Sequence, residues 1–239
     1  MPKQTKANPN PWQTELLRLT LFLSPAAQVV DPSWWHDLVG QSPETIISHP
    51  REGGRHESGL WGDANLALLL QPTRIDWLLT ASDDDNSKVS VTGGTFKEKL
   101  RAFRKLMCRW FEFSTCPAAQ RLAFGAVLLS AVESQQDGLR QLSNLLPVEL
   151  DGNGSKDFSY QINRPRPSHS KIPGLSINRL SKWAVVSRAG GSQDLACRLE
   201  LDINTAPDFQ GELPRASFAQ LFGEFTELGQ EIAEKGDIP

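Results

Sequence analysis

Glu200 and Asp202 stand two residues apart in a run that alternates apolar and polar side chains (LACRLELDINT). On a strand that spacing puts both carboxylates on one face, the arrangement by which metal nucleases hold Mg²⁺ or Mn²⁺. The lysine of an ExK pattern does not follow them, and Ser181 and Arg179 are their expected cross-strand neighbours, so a structural ion pair competes with a metal site. Asp83, Asp84 and Asp85 are consecutive, so their oxygens diverge and do not converge on an ion. His49 and His56 are seven apart in HPREGGRH, with no nearby cysteine or paired carboxylate to complete a zinc set. Cys108, Cys116 and Cys197 form no CxxC pair, and Cys197 is expected in the core. Gly93-Gly94 precedes a helix whose N-terminus could meet an anion, but no Walker lysine and serine follow. GxSxG, HExxH and GxGxxG are all absent. The residues therefore favour a non-enzymatic protein with no metal and no cofactor. A metal-dependent enzyme at Glu200 and Asp202 stays open as an alternative.

The elements that would position these residues follow from periodicity. Residues 1–11 are polar, hold three prolines and read as a disordered arm. Residues 14–23 form a strand. Asp31-Pro32 caps and opens a short helix carrying Trp34, Trp35 and Leu38, which Gly40 ends. Strands are expected at 55–61, 65–71 and 74–80, with a turn at Pro72-Thr73, then an exposed acidic loop at 82–87. A helix over 95–113 has Thr95 as cap and Phe96, Leu100, Phe103, Met107 and Trp110 on one side. The order then repeats: a strand at 121–132, a helix at 134–146 stopped by Pro147, strands at about 157–164, 175–188 and 195–205, and a helix over 215–235. The reading is an α+β fold of two pseudo-repeated β-α-β-β-β-α halves, 12–118 and 119–239. An antiparallel, continuous or saddle-like sheet packs on the helices, and the halves are expected to form one compact unit.

Gly190-Gly191 fits a two-residue hairpin loop. That register sets Trp183 opposite Arg198, Ser181 opposite Glu200 and Arg179 opposite Asp202. It gives a polar sheet face with a tryptophan among arginines, the residue types that anchor interfaces. The step Ile-Asn recurs at Ile162-Asn163-Arg164, Ile177-Asn178-Arg179 and Ile203-Asn204-Thr205. These asparagines either end strands through their own backbone or line a polar contact site. Expected partner-binding residues are thus Arg179, Trp183, Arg198, Asn163, Arg164 and Asn178. Two basic windows, 97–109 and 156–198, offer a nucleic-acid-binding alternative through Lys97, Arg101, Arg104, Lys105, Arg109, Arg166 and Lys171.

Composition narrows the class. The 239 residues carry 25 Lys and Arg against 28 Asp and Glu, a net charge of −3 that selects no partner by itself. No apolar run is long enough for a membrane span, the first residues lack the apolar stretch of a secretory signal, and three cysteines suit a reducing cytoplasm. The pieces LLLQPTRIDWLL, RLAFGAVLL, DFSYQINRPRPS, LSINRLSKW and LELDINT resemble a sporadically distributed family of uncharacterised bacterial proteins. The resemblance implies an accessory or antiviral-defence context and carries over no active-site residue. The expected function is a protein-binding subunit or regulator in a hetero-complex.

Overall fold

The computed structural model describes residues 11–25, 27, 29, 33–49, 51, 53–81, 94–150, 157–187 and 195–237. Leu17, Leu19, Leu21 and Leu23 alternate along β1 (Gln13–Leu23) and are all buried, as a period of two requires. Helix α1 (Trp34–Val39) begins after Ser33, and its expected cap at Asp31-Pro32 lies outside the described residues. Four strands follow: β2 (Thr45–His49), β3 (Gly54–Trp61), β4 (Ala64–Gln71) and β5 (Arg74–Ala81). The Pro72-Thr73 turn joins the last two as expected. Helix α2 (Phe96–Glu112) starts with a capping box, in which the Thr95 hydroxyl accepts from Glu98 N and the Glu98 carboxylate accepts from Thr95 N.

The second half comprises β6 (Ala119–Val132), α3 (Gln135–Leu145), β7 (Ser159–Asn163), β8 (Arg166–Pro167), β9 (Ser176–Ser187), β10 (Leu195–Thr205) and α4 (Phe218–Lys235). A single 3₁₀ turn (Arg215–Ser217) leads into α4. Strands β2 and β8 were not expected from the sequence.

Among the described residues ten strands build one sheet, ordered β2-β3-β4-β5-β1-β6-β10-β9-β7, with β8 also on β9. Every pairing is antiparallel, and β1 and β6 meet at the centre, with Arg18 opposite Gly125. The helices pack on one face. Trp35 of α1 stacks on Trp77, Trp110 of α2 meets Trp77 edge-on, and Phe222 of α4 meets Phe124 edge-on. Gly138 of α3 sits so close to Val185 that a Cβ would come within 2.8 Å of it.

The β9–β10 register differs from expectation by one residue. Trp183 lies opposite Leu199, Ser181 opposite Leu201 and Arg179 opposite Ile203, while Lys182 faces Glu200. The expected register put Lys182 in the middle of the core face, where an unpaired ammonium is costly to desolvate. Sliding one residue exposes Lys182 and buries Trp183 against Trp12, with their ring centroids 6.1 Å apart. The Trp183 indole donates to the Ser181 hydroxyl at 3.1 Å. Strand β10 keeps its expected inward set of Cys197, Leu199, Leu201 and Ile203. The Gly190-Gly191 loop lies outside the described residues.

Candidate functional site

The face of the sheet opposite the helices is a candidate interaction surface. Antiparallel partners share a face, so the central pairs Arg18–Gly125 and Leu16–Val127 point the same way. Thr80 and Leu78 of β5 flank them on one side, and Glu200 and Asp202 of β10 on the other. Among the described residues none of the helices packs here. Leu16, Leu78, Val127, Leu180, Ala184 and Val186 on this face are half-buried, although an antiparallel sheet facing water usually alternates to polar residues.

Arg18 is central. Gly125 gives it room: a Cβ there would lie 3.5 Å from Arg18 Nε, so the side chain runs across the glycine toward β10. Arg18 Nε is buried without a hydrogen-bond partner among the described residues, and the guanidinium forms no ion pair with them. Charged groups around it are instead in ion pairs with one another. Arg198 Nε lies 3.2 Å from Glu200, whose other cation is Lys182 at 3.9 Å. Thr20 donates to Asp76 at 2.5 Å, Arg74 pairs with Asp76 at 2.7 Å, and Arg121 covers the Phe22 ring at 4.8 Å.

The asparagines form a ladder across this face, and Asn163 is also the last residue of β7. Asn163 donates to Asn178, Asn178 to Asn204 and Asn204 to Asp202, while Arg121 also donates to Asn204. The amides satisfy one another across strands, which compensates their poor strand preference.

The six expected partner-binding residues are therefore split. Asn163, Asn178 and Arg198 lie on the open face. Arg179 and Arg164 lie toward the helices, where Arg179 Nε donates to the Arg164 carbonyl at 3.0 Å. Trp183 is fully buried and is corrected from surface anchor to core residue. Sequence reasoning missed Arg18, because it sits in a run (TELLRLTLFL) whose apolar alternation marks only the buried side.

Arg164 belongs to a latch that holds the residues after α4. Its guanidinium forks onto Asp237 at 2.6 and 2.8 Å, and Tyr160 donates to the same carboxylate at 2.7 Å. Asp237 N donates to the Leu145 carbonyl. The intervening Gly236 has φ +85°, and a Cβ there would fall 1.8 Å from that carbonyl oxygen, so only glycine fits. The Arg164 hydrogen bonds hold the Asp237 carboxyl below its ordinary value, against the opposing effect of burial. A carboxylate depressed in the folded state adds stability above its unfolded pKa, and that stability is lost as pH falls through the folded value. Wild type should thus melt above Asp237→Asn at pH 7, and the gap should close progressively below about pH 4. Melting curves of both proteins from pH 7 to pH 2 check this.

The basic windows meet the last helix. Arg104 pairs with Glu227 at 2.9 Å and Arg166 with Glu224 at 2.9 Å, so α4 neutralises one arginine from each window. Lys171 is exposed. Lys97, Arg101, Lys105 and Arg109 recur every fourth residue on the exposed side of α2 and form no ion pair among the described residues.

Other chemistry is muted. Among the described residues no three His, Cys, Asp or Glu side chains gather as a metal site. Asp83–Asp85 and Gly93 lie outside the described residues, and at the start of α2 the Phe96 amide donates to the Trp12 carbonyl and the Glu98 amide to the Thr95 hydroxyl. Burial pushes the Cys116 and Cys197 thiols up to about 12, far from the thiolate a nucleophile needs. A cleft of about 300 Å³ between Trp12, Phe96 and Ala233 is mostly apolar. Among the described residues no helix is long and apolar enough to cross a membrane. A scan against protein-family models returns no match, and neither does a search of the curated proteins.

Proposed function

We propose that this protein is a non-enzymatic binding subunit that docks a protein partner on the open face of its sheet, around Arg18. The observation that carries the reading is the half-buried guanidinium of Arg18, without an ion pair among the described residues, set among Leu16, Leu78 and Val127 and rimmed by the Arg198–Glu200–Lys182 ion pairs. Interfaces have this anatomy: an apolar centre, an arginine anchor and a polar rim. A partner carboxylate placed over Arg18 would satisfy a guanidinium that forms no ion pair among the described residues. Asn163, Asn178 and Arg198 extend the contact toward β7. Replacing Arg18 with alanine should weaken the protein co-purified from native cells about 30-fold, the loss of a hot spot of about 2 kcal/mol, with little change in melting temperature. Unchanged affinity would defeat the reading. The resemblance to a sporadic bacterial family extends it to a regulator or subunit of a cytoplasmic accessory or defence complex.

The two halves support an origin by internal duplication. A shift of 122 residues carries the buried positions Phe96, Leu100, Phe103, Leu106, Met107, Trp110 and Phe111 of α2 onto Phe218, Phe222, Phe225, Leu228, Gly229, Ile232 and Ala233 of α4. All seven counterparts are buried as well. Each half also presents its first strand to the centre of the sheet and its last strand beside it.

One observation favours nucleic acid as a second reading. The cations Lys97, Arg101, Lys105 and Arg109 stand about 6 Å apart along the axis of α2, over about 18 Å. Like charges at this spacing weaken a helix by a few tenths of a kcal/mol per pair, which an anionic ligand would relieve. Under this reading, Arg101→Gln with Lys105→Gln lowers the slope of log affinity against log salt by about 0.9 per cation. Titrations of single- and double-stranded nucleic acid at several salt concentrations measure that slope, and salt-independent or absent binding removes the reading.

A further inference from the structure

We propose that the chain forms a two-fold dimer by antiparallel pairing of β2 with β2 of a second copy, centred on Ile47. Strand β2 is the outermost strand of the sheet, and all five of its residues are exposed. The exposed large hydrophobic side chains among the described residues are Ile46 (52 %), Ile47 (44 %) and Leu60 (48 %), all on β2 or the adjoining β3. An uncovered edge is a template for strand addition, and sheets usually blunt it with a charge, a proline or a bulge. Thr-Ile-Ile-Ser-His has none of these.

The opposite edge is blunted. There β7 gives way to Arg164-Pro165 and then to β8, which ends on Pro167. The two prolines lack the N–H that an added strand would need. Pairing of β2 with itself closes as an isologous dimer without calling on the proline-interrupted β7–β8 row. Head-to-tail growth into a fibre would need both edges.

The composition of β2 also favours a second copy. A two-fold axis normal to the sheet keeps each side chain on its own face, so it must pass beside a self-paired residue. Centring it on Ile47 pairs all five residues: Ile47 with Ile47, Ile46 with Ser48 and Thr45 with His49. The strand carries no formal charge at neutral pH, so no like charges are opposed.

The test uses the full chain. Sedimentation over a wide concentration range should show a monomer–dimer equilibrium. Ile47→Glu opposes two carboxylates across the axis and should raise the dissociation constant about tenfold or more. Because Ile47 is exposed, the variant should keep the wild-type melting profile of the monomer. In a Cys108→Ser background, Ile47→Cys should form a symmetric disulfide on mild oxidation, while His49→Cys, which faces Thr45, should not. A monomer at every concentration would overturn the proposal. So would a dimer indifferent to Ile47→Glu, or equal cross-linking from His49→Cys. Loss of the partner site around Arg18 would leave these results unchanged, so the two readings fail separately.

Discussion

Trp183→Ala should destabilise the protein by about 3–5 kcal/mol, the range for removing a fully buried tryptophan from a core. The ring packs on Trp12 and faces Leu199, and its indole N–H is satisfied by Ser181. Truncation leaves a cavity under the middle of β9 and strips the Ser181 hydroxyl of its donor. For a chain of this size the melting temperature should fall by roughly 10 °C. The neighbouring Lys182→Ala removes only half-exposed surface and a 3.9 Å ion pair, so its effect should stay within about 0.5 kcal/mol. Denaturant melts of the two variants side by side read the register directly. The reverse order of effects would restore the tryptophan to the surface.

Phe222→Ala should cost a comparable 3–5 kcal/mol and, in addition, report on how the halves are joined. The Phe222 ring of α4 meets Phe103 and Phe111 of α2 and Phe124 of β6, all within about 6 Å between centroids. It therefore stands where the helix of the first half meets the helix and central strand of the second. If this is one core, the variant unfolds at lower denaturant in a single transition, with calorimetric and van't Hoff enthalpies equal. Two separated transitions would show that 12–118 and 119–239 hold independent cores.

Much of the architecture was legible because its elements are long and periodic. The apolar stripe of α2 and the alternation of β1, β6 and β10 each mark a buried side unambiguously, and Thr95 and Pro72 mark boundaries. Strand β2 is not legible because its five residues between Glu44 and Pro50 show no alternation, and neither face of the strand is buried. The register of β9 was misread because both of its faces carry apolar residues. Leu180, Ala184 and Val186 look like a core set until the cost of burying Lys182 is weighed against the gain from Trp183. The candidate site was the least legible part. Residues on an open sheet face are not fixed by packing within the chain, so no apolar periodicity marks them. Arg18 becomes conspicuous only once Gly125 is seen across the strands and, among the described residues, no ion pair joins it to Asp202 beyond that glycine. The Ile-Asn repeats were visible, but their cross-strand ladder depends on pairings between β7, β9, β10 and β6 that no local pattern encodes.

The most direct test of the open face as the docking surface is photo-cross-linking in native cells. A photoreactive side chain would replace Lys182 on the open face in one protein and Arg101 on the outer side of α2 in another. The account predicts a discrete protein adduct from position 182, lost when Arg18→Ala is added, and no such adduct from position 101. Adducts from position 101 alone, or adducts from 182 that persist without Arg18, would contradict it.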